Sequence, residues 1–450
     1  MGKTLLENAW TVIGGQVCKA GILVDGETIQ DIVLSGQQAD AVRPMADSTV
    51  DLEGKWLLPG VIDDHVHFRD PGLTHKATIE SESLAAAAGG VTTVFDMPNC
   101  KPQTTTLQAL QDKFENAAAH SIVNHSFYLG ATNSNLDQVE ALDPERVCGV
   151  KLFMGSSTGN MLVDDESRIR ELFRTSRIPV AAHCEDTSVI DANMERICAQ
   201  YGPDPDVQYH PLIRSEEACY ASTSKALDIA AGTDVRLHVL HISTKRELTL
   251  FGKGPLSGKS ITCECCPAHL WFTDSDYARL GTRIKCNPAV KTASDREALR
   301  AALTDGTADV IGTDHAPHLL SEKEEGVKSA ASGMPVLPYS LIAMLELTDM
   351  GVLGVPDVVR LMCNNPAVLF NVRQRGFLKK GYKADFTILS HSDRTWTATD
   401  AGAVTKCGWT PFAGQQFHWK VLSTWVNGHR VFNDGVFDTS VKGQAVLFNR

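Results

Sequence analysis

The chain of 450 residues is 43% hydrophobic and 21% charged, and its formal net charge at pH 7 is −12. This composition is typical of an ordinary soluble globular protein, and an acidic chain without a basic run argues against nucleic-acid binding. The sequence has no apolar run near the roughly 20 residues that span a bilayer, and its first residues, MGKTLLENAW, do not form a signal peptide. We therefore expect a cytoplasmic protein that binds neither nucleic acid nor membrane.

The 12 cysteines are scattered along the chain, which is typical of reduced thiols rather than of a disulfide framework. One cluster, CECC at residues 263–266, suggests a zinc site at first sight. It lacks a second cysteine pair at zinc-ribbon spacing, so we interpret it as structural thiols at the end of a strand.

Both ends of the chain predict short β-strands. Residues 1–55 and 376–450 alternate apolar and polar residues between turn signals of the Asp-Gly and Asn-Gly type. We interpret these two segments as one small β-sandwich domain formed from both chain termini.

Residues 56–375 alternate β-rich apolar runs with helical patterns. Residues 107–117, for example, have an apolar stripe at helical spacing, and Ser294 with Glu297 three residues later is the pattern of a capping box. Eight strands separated by helices predict an α/β fold, a (β/α)8 TIM-type barrel, although a doubly wound open sheet also fits the alternation.

Polar residues stand at the carboxyl ends of several predicted strands. His65 and His67 are two residues apart, so on a strand both side chains point to the same face. His183 ends the fifth strand and Asp314 the eighth, while on the sixth strand His241 lies nearer the end than His238, which points to the opposite face. Barrel enzymes assemble their sites at this end, so these residues predict a catalytic site for zinc or a related divalent cation. The alternative is a set of unrelated core residues.

Lys151 lies in a predicted strand that is otherwise apolar. A lysine inside a barrel strand is unfavourable unless it is paired or chemically altered. A neutral lysine amine that reacts with carbon dioxide gives a carbamate, whose two oxygens can bridge two cations. We favour this carboxylated lysine over a lysine that extends to the barrel rim or forms an ion pair with an acid such as Asp164 or Asp165.

Eight motifs in chain order resemble the successive signatures of dihydroorotases, within the metal-dependent amidohydrolase superfamily. They are DDHVHFRDPG, FDMPN, KLFMG, AAHCED, LHIST, CECCPAHLWF, KCNPAVK and TDHAPH, and the resemblance covers nearly the whole chain. It implies two Zn²⁺ ions per chain, bridged by a hydroxide and by N6-carboxylated Lys151. The implied metal ligands are His65, His67, Lys151, His183, His241 and Asp314.

The resemblance also implies the reaction. The bridging hydroxide would attack the ring amide carbon of dihydroorotate, and Asp314 would accept the proton and pass it to the departing ring nitrogen. The reverse reaction closes N-carbamoyl-L-aspartate, which is the direction that pyrimidine (UMP) biosynthesis needs.

The substrate assignment depends on Arg69, two residues beyond His67 and on the same face. A planar guanidinium suits the carboxylate of dihydroorotate, whereas allantoinases typically have Asn at this position and hydantoinases lack the Arg. The resemblance adds three further residues to the substrate site, namely Asn99, Asn287 and His318. The sequence departs from many bacterial dihydroorotases after Asn287, where it reads Pro-Ala-Val-Lys instead of Pro-Pro-Leu-Arg.

Two other functions stay open. One is an allantoinase or another cyclic-imide hydrolase, and the other is a non-catalytic homologue, which typically loses metal ligands. We expect a small-molecule substrate and a homodimer, since barrels of this kind commonly dimerise. We also expect residues 319–334 to border the substrate, with residues 332–335 reaching the ring.

Overall fold

The computed structural model describes residues 2–34, 36–155 and 161–450. Its strands are, in chain order, β1 Thr4–Ile13, β2 Gln16–Asp25, β3 Thr28–Val33, β4 Ser48–Asp51, β5 Trp56–Pro59, β6 Val61–Val66, β7 Val91–Asp96, β8 Asn124–Gly130, β9 Gly149–Phe153, β10 Val180–His183, β11 Leu237–Val239, β12 Ile261–Cys265, β13 Val310–Ile311, β14 Phe386–Thr397, β15 Gln416–Val426, β16 His429–Asn433 and β17 Val436–Phe437.

The α-helices mostly follow the barrel strands. They are α1 Gly36–Val42, α2 Ile79–Ala88, α3 Leu107–His120, α4 Leu136–Glu140, α5 Glu166–Thr175, α6 Thr187–Tyr201, α7 His210–Ile213, α8 Glu216–Ala230, α9 Lys245–Leu248, α10 Pro267–Trp271, α11 Tyr277–Leu280, α12 Ala293–Asp305, α13 Leu337–Asp349, α14 Val355–Val359 and α15 Asn365–Leu369. Among the described residues, no helix combines the length and the apolar character needed to cross a bilayer.

Strands β6 to β13 form one eight-stranded parallel sheet in sequential order. The sheet curls into a barrel, and a parallel bridge between Val66 and His315 joins its first and last strands. The strands are buried on both faces, as expected where helices cover a parallel sheet. The predicted (β/α)8 barrel is confirmed.

The remaining strands form a nine-stranded mixed sheet in which both termini take part. Strand β5 lies at its centre, parallel to β1 and antiparallel to β14. The predicted β-structure built from both termini is therefore confirmed as part of the fold. The bounds of the two domains, 1–55 with 376–450 and 56–375, stay a prediction, and the structure pairs Trp56–Pro59 with the terminal sheet.

Two helices test the local sequence patterns. Helix α3 buries Leu110, Phe114 and Ala117, as the apolar stripe predicts. Helix α12 begins two residues earlier than the predicted capping box. Its N-cap is Thr292, whose hydroxyl accepts a hydrogen bond from the backbone N–H of Asp295. Thr292 with Asp295 and Ser294 with Glu297 both place a hydroxyl three residues before an acid, so the sequence offers two capping boxes. The structure uses the first of them, and the prediction of the second was wrong.

Candidate active site

One cavity of about 1020 Å³ opens at the carboxyl end of the barrel. Every site residue predicted from the sequence lies on its wall. They are His65, His67, Arg69, Asn99, Lys151, His183, His241, Asn287, Asp314 and His318.

Asp314 joins the two histidines that end strand β6. Its Oδ1 lies 3.0 Å from Nε2 of His67 and 3.3 Å from Nε2 of His65. Burial raises the pKa of Asp314, but the two imidazoles lower it more, so the pKa of this carboxyl stays well below its usual range. The group is therefore a carboxylate facing two nitrogen atoms.

The hydrogen bonds of the Nδ1 atoms of His65 and His67 show that the Nε2 atoms are the ones available to bind a cation. Nδ1 of His67 faces Oδ1 of Asn99 at 2.6 Å, and Nδ1 of His65 faces Oε1 of Glu264 at 2.9 Å. Both partners are acceptors, so each Nδ1 carries a proton. Burial lowers the pKa of His67 to about 4, so its Nε2 is a lone pair that points at a carboxylate oxygen. Burial also acts to lower the pKa of His65, but the carboxylates of Glu264 and Asp314 outweigh it and raise that pKa. Acceptor atoms that converge in this way fit a divalent cation between them.

His183 and His241 form a second group beside the first. Nδ1 of His183 lies 2.9 Å from Nε2 of His241, and burial lowers the pKa of both imidazoles. The ring of His241 lies 5.4 Å from that of His65, measured between centroids. The two groups are thus neighbours, as a binuclear site would require.

Lys151 lies in the barrel wall and is 1% exposed. Its Nζ lies 4.7 Å from the ring centroid of Phe153, and burial lowers its pKa to about 8. Within the described residues, neither Asp164 nor Asp165 forms an ion pair with it, and Asp165 instead caps helix α5. The alternative of a conventional ion pair with these acids is wrong.

Two buried glutamates support the histidines, and the sequence patterns did not single out either of them. Glu264 accepts hydrogen bonds from Nδ1 of His65 and from the backbone N–H of His241. Glu185 lies 3.1 Å from Nε2 of His183 and pairs with Arg214. The available signal was an acid within an apolar strand or close after its end, where acidic side chains are rarely buried.

The substrate side of the cavity contains the predicted arginine. Nε of Arg69 donates to the carbonyl of Pro317 at 3.1 Å, and its NH2 group lies 3.0 Å from Nε2 of His318. Oδ1 of Asn287 is buried and has no partner among the described residues. Asn99 has a second role that was not predicted, because its carbonyl holds His67.

The segment 319–334 reaches the cavity partly as predicted. Ser332 and Gly333 lie on the cavity wall. Met334 and Pro335 do not line the cavity, and the carbonyl of Met334 accepts the backbone N–H of Ala316 at the barrel edge. The thiols of the cluster at 263–266 are buried and form no disulfide. Those of Cys263 and Cys266 donate to the carbonyl of Thr307 and to Glu264, which agrees with a structural role.

The chain belongs to the amidohydrolase family, whose sequence profile matches residues 56–431. Similar proteins include two dihydroorotases. The dihydroorotase of Halobacterium salinarum is 34% identical over 409 residues, 89% of this chain and 92% of its own, and that of Lactobacillus gasseri is 30% identical over 96% and 99%. The solved structure of L-hydantoinase (dihydropyrimidinase) from Arthrobacter aurescens superposes with a TM-score of 0.91 at 28% identity, over 99% of this chain and 100% of that one. The resemblance predicted from the motifs is confirmed.

Proposed function

We propose that the chain is a dihydroorotase, which reversibly hydrolyses the cyclic amide of (S)-dihydroorotate to N-carbamoyl-L-aspartate in pyrimidine biosynthesis. The observation that supports this substrate is Arg69, a guanidinium beside His318 in the cavity that also contains the histidine and carboxylate cluster. The similarity to the two dihydroorotases supports the same reading.

We further propose that the cavity binds two Zn²⁺ ions, with carboxylated Lys151 and a hydroxide between them. When bound, the two ions would lower the pKa of a shared water towards about 7 and polarise the ring carbonyl. The lowered pKa of Lys151 supports the carbamate, because only the neutral amine reacts with carbon dioxide.

Different side chains of the cavity would bind the substrate and transfer the proton. Arg69 and His318 would hold the ring carboxylate, with the amide groups of Asn99 and Asn287 beside it. Asp314 is a carboxylate at the centre of the cluster, so it is placed to accept the proton of the attacking water and to return it to the departing ring nitrogen.

A hydantoinase or dihydropyrimidinase is the second candidate, because the A. aurescens enzyme superposes over almost the whole chain. Its ring substrates need no carboxylate. An allantoinase belongs to the same group of alternatives. A carboxylate-binding arginine is what separates the first proposal from these.

The test compares ring opening of dihydroorotate, hydantoin, dihydrouracil and allantoin by the unaltered chain and by Arg69→Met. We expect dihydroorotate to be the best substrate, and the substitution to lower its kcat/KM about 100-fold or more, because a paired charged hydrogen bond is lost. The neutral rings should change by less than about fivefold on the same reasoning. Lys101→Met, which removes a charge at the exposed rim, is the control. Faster opening of a neutral ring, or equal losses on all four, would contradict the assignment.

The proposal includes a homodimer that works in the cytoplasm. The unpaired state of all its cysteines is compatible with a reducing compartment. Light scattering after size-exclusion chromatography tests the dimer.

A further inference from the structure

The imidazole of His318 lies between two cationic side chains. The NH2 group of Arg69 lies 3.0 Å from its Nε2, and Nζ of Lys76 lies 3.0 Å from its Nδ1. Burial, together with the charges of Arg69 and Lys76, lowers the pKa of His318 well below its usual value. The ring is therefore neutral and has one N–H group and one lone pair.

This arrangement allows only one of the two cations a hydrogen bond to the ring. A guanidinium and an ammonium are both donors without lone pairs, so whichever ring nitrogen carries the proton has a donor 3.0 Å away. The backbone carbonyl of Ser332 is a further acceptor beside the ring. The proton is expected on the nitrogen whose unfavourable contact, with Arg69 at Nε2 or with Lys76 at Nδ1, can be removed by movement or by an added acceptor.

Lys76 is held in place from its other side. Its Nζ lies 2.7 Å from Oε1 of Glu322, and Oε2 of Glu322 accepts the backbone N–H of Leu319 at 2.8 Å. The Lys76 side chain is only 11% exposed. A proton on Nδ1 would face this fixed ammonium, and the carboxylate oxygen of Glu322 that could accept it lies 3.6 Å away, beyond hydrogen-bond distance.

A proton on Nε2 has a different environment. It faces the NH2 group of Arg69 on the wall of the open cavity, where an incoming acceptor can bind both donors. Two donors 3.0 Å apart without an acceptor between them form a site for an anion, and a carboxylate has the two oxygens to match.

We propose that Lys76, anchored by Glu322, is a positioning residue that fixes His318 with its proton on Nε2, so that His318 and Arg69 donate together to the substrate carboxylate. The identity of that carboxylate rests on the proposed function, whereas the position of the proton does not. The Lys76–Glu322 ion pair joins the loop after β6 to the segment that follows β13, so it also ties together the two sides of the carboxylate site.

Nitrogen NMR tests the tautomer in the zinc-loaded protein without substrate. With ¹⁵N-histidine labelling, and with His318→Gln to assign the signals, we expect a lone-pair signal for Nδ1 and a protonated signal for Nε2. Lys76→Met should move the proton to Nδ1 or mix the two tautomers, and Lys76→Arg should restore the original pattern. A protonated Nδ1 in the unaltered protein, or a Lys76→Met spectrum identical to it, would overturn the proposal. Glu322→Gln, which loosens Lys76 and keeps the side-chain shape, provides the same test should Lys76→Met not fold.

Kinetics test the consequence of this tautomer. Lys76→Met should weaken the hydrogen bond from Nε2 of His318 to the substrate carboxylate. We expect this loss to raise the KM for dihydroorotate about tenfold, with kcat changed by less than about threefold. Lys101→Met removes a lysine from the same cavity rim, and among the described residues no contact joins it to His318, so its KM should rise less. Equal KM values for the two variants would overturn the role of Lys76. If the unaltered chain does not open dihydroorotate, the proposed function fails, while the NMR result still decides the tautomer.

Discussion

Lys151 shows how strongly a buried position constrains one residue. It is fully enclosed, its pKa is lowered to about 8, and its amine points into a cavity lined by imidazoles. A charged amine in this place would repel the cations that the imidazoles can bind. A carbamate would attract them, so the same position favours the modified form once metal is present.

Replacing Lys151 with Ala should therefore remove the bridging ligand. We expect the variant to bind at least one divalent ion fewer per chain and to lose nearly all turnover, because the remaining histidines hold the second ion weakly. Elemental analysis and initial rates measure both effects. Added acetate or propionate should restore part of the activity to Lys151→Ala and none to Asp314→Ala, which serves as the control. Metal content and turnover at the original level would remove Lys151 from the mechanism.

The site residues differ in how far the sequence predicts them. His65, His67 and Asp314 could be found because each stands at or just after the carboxyl end of a strand, where barrel enzymes assemble their sites. Glu264 could not be paired with His65, because 199 residues separate the two and no local pattern connects them. Arg69, His241 and Asp314 also have positive φ angles of 65°, 42° and 49°, which local patterns do not reveal and which are common at functional sites.

Elements are held together by buried contacts that periodicity does not predict. Lys113 on α3 reaches Asp96 at the end of β7 with an Nζ–Oδ2 distance of 2.5 Å, and both side chains are buried. The other oxygen of Asp96 accepts the backbone N–H of Phe68 at 2.8 Å. This ion pair thus fixes the segment that contains His67 against the next strand.

Lys113→Met should lower the free energy of unfolding by about 3–5 kcal/mol, because it leaves the Asp96 carboxylate buried without its partner. Urea denaturation measures the change. Lys253→Met, which breaks the exposed pair with Asp305, is the matched control and should cost about 0–1 kcal/mol. Similar values for the two variants would show that burial does not make the Lys113 pair important.

The whole molecule depends on the contact between the barrel and the terminal sheet. Sequence patterns predict both parts, but they do not predict that β1 pairs with β4 and β5 in parallel or that β14 pairs with β5. The pairing of β14 with β5 joins residues more than 300 positions apart, and the two parallel pairings of β1 join residues about 45 positions apart. No local pattern specifies such pairings, so they are decided by packing in the folded chain. The junction is polar as well as apolar: Asp385, just before β14, accepts hydrogen bonds from Asn124 of the barrel and from the backbone N–H of Asn427.

Arg375 completes this junction, since its guanidinium contacts both Asp385 and the side-chain carbonyl of Asn427 and is only 4% exposed. Arg375→Met should lower the free energy of unfolding by about 3–5 kcal/mol, because a buried carboxylate loses its cation. Lys383→Met breaks the more exposed pair with Glu27 nearby and should cost about 0–1 kcal/mol.

Urea unfolding should be followed both by tryptophan fluorescence, since Trp419 and Trp425 lie in the terminal sheet, and by loss of turnover at the barrel. If Arg375 couples the two parts, its loss separates the two transitions. Coincident transitions at the original midpoint would show that apolar packing alone joins the barrel to the sheet.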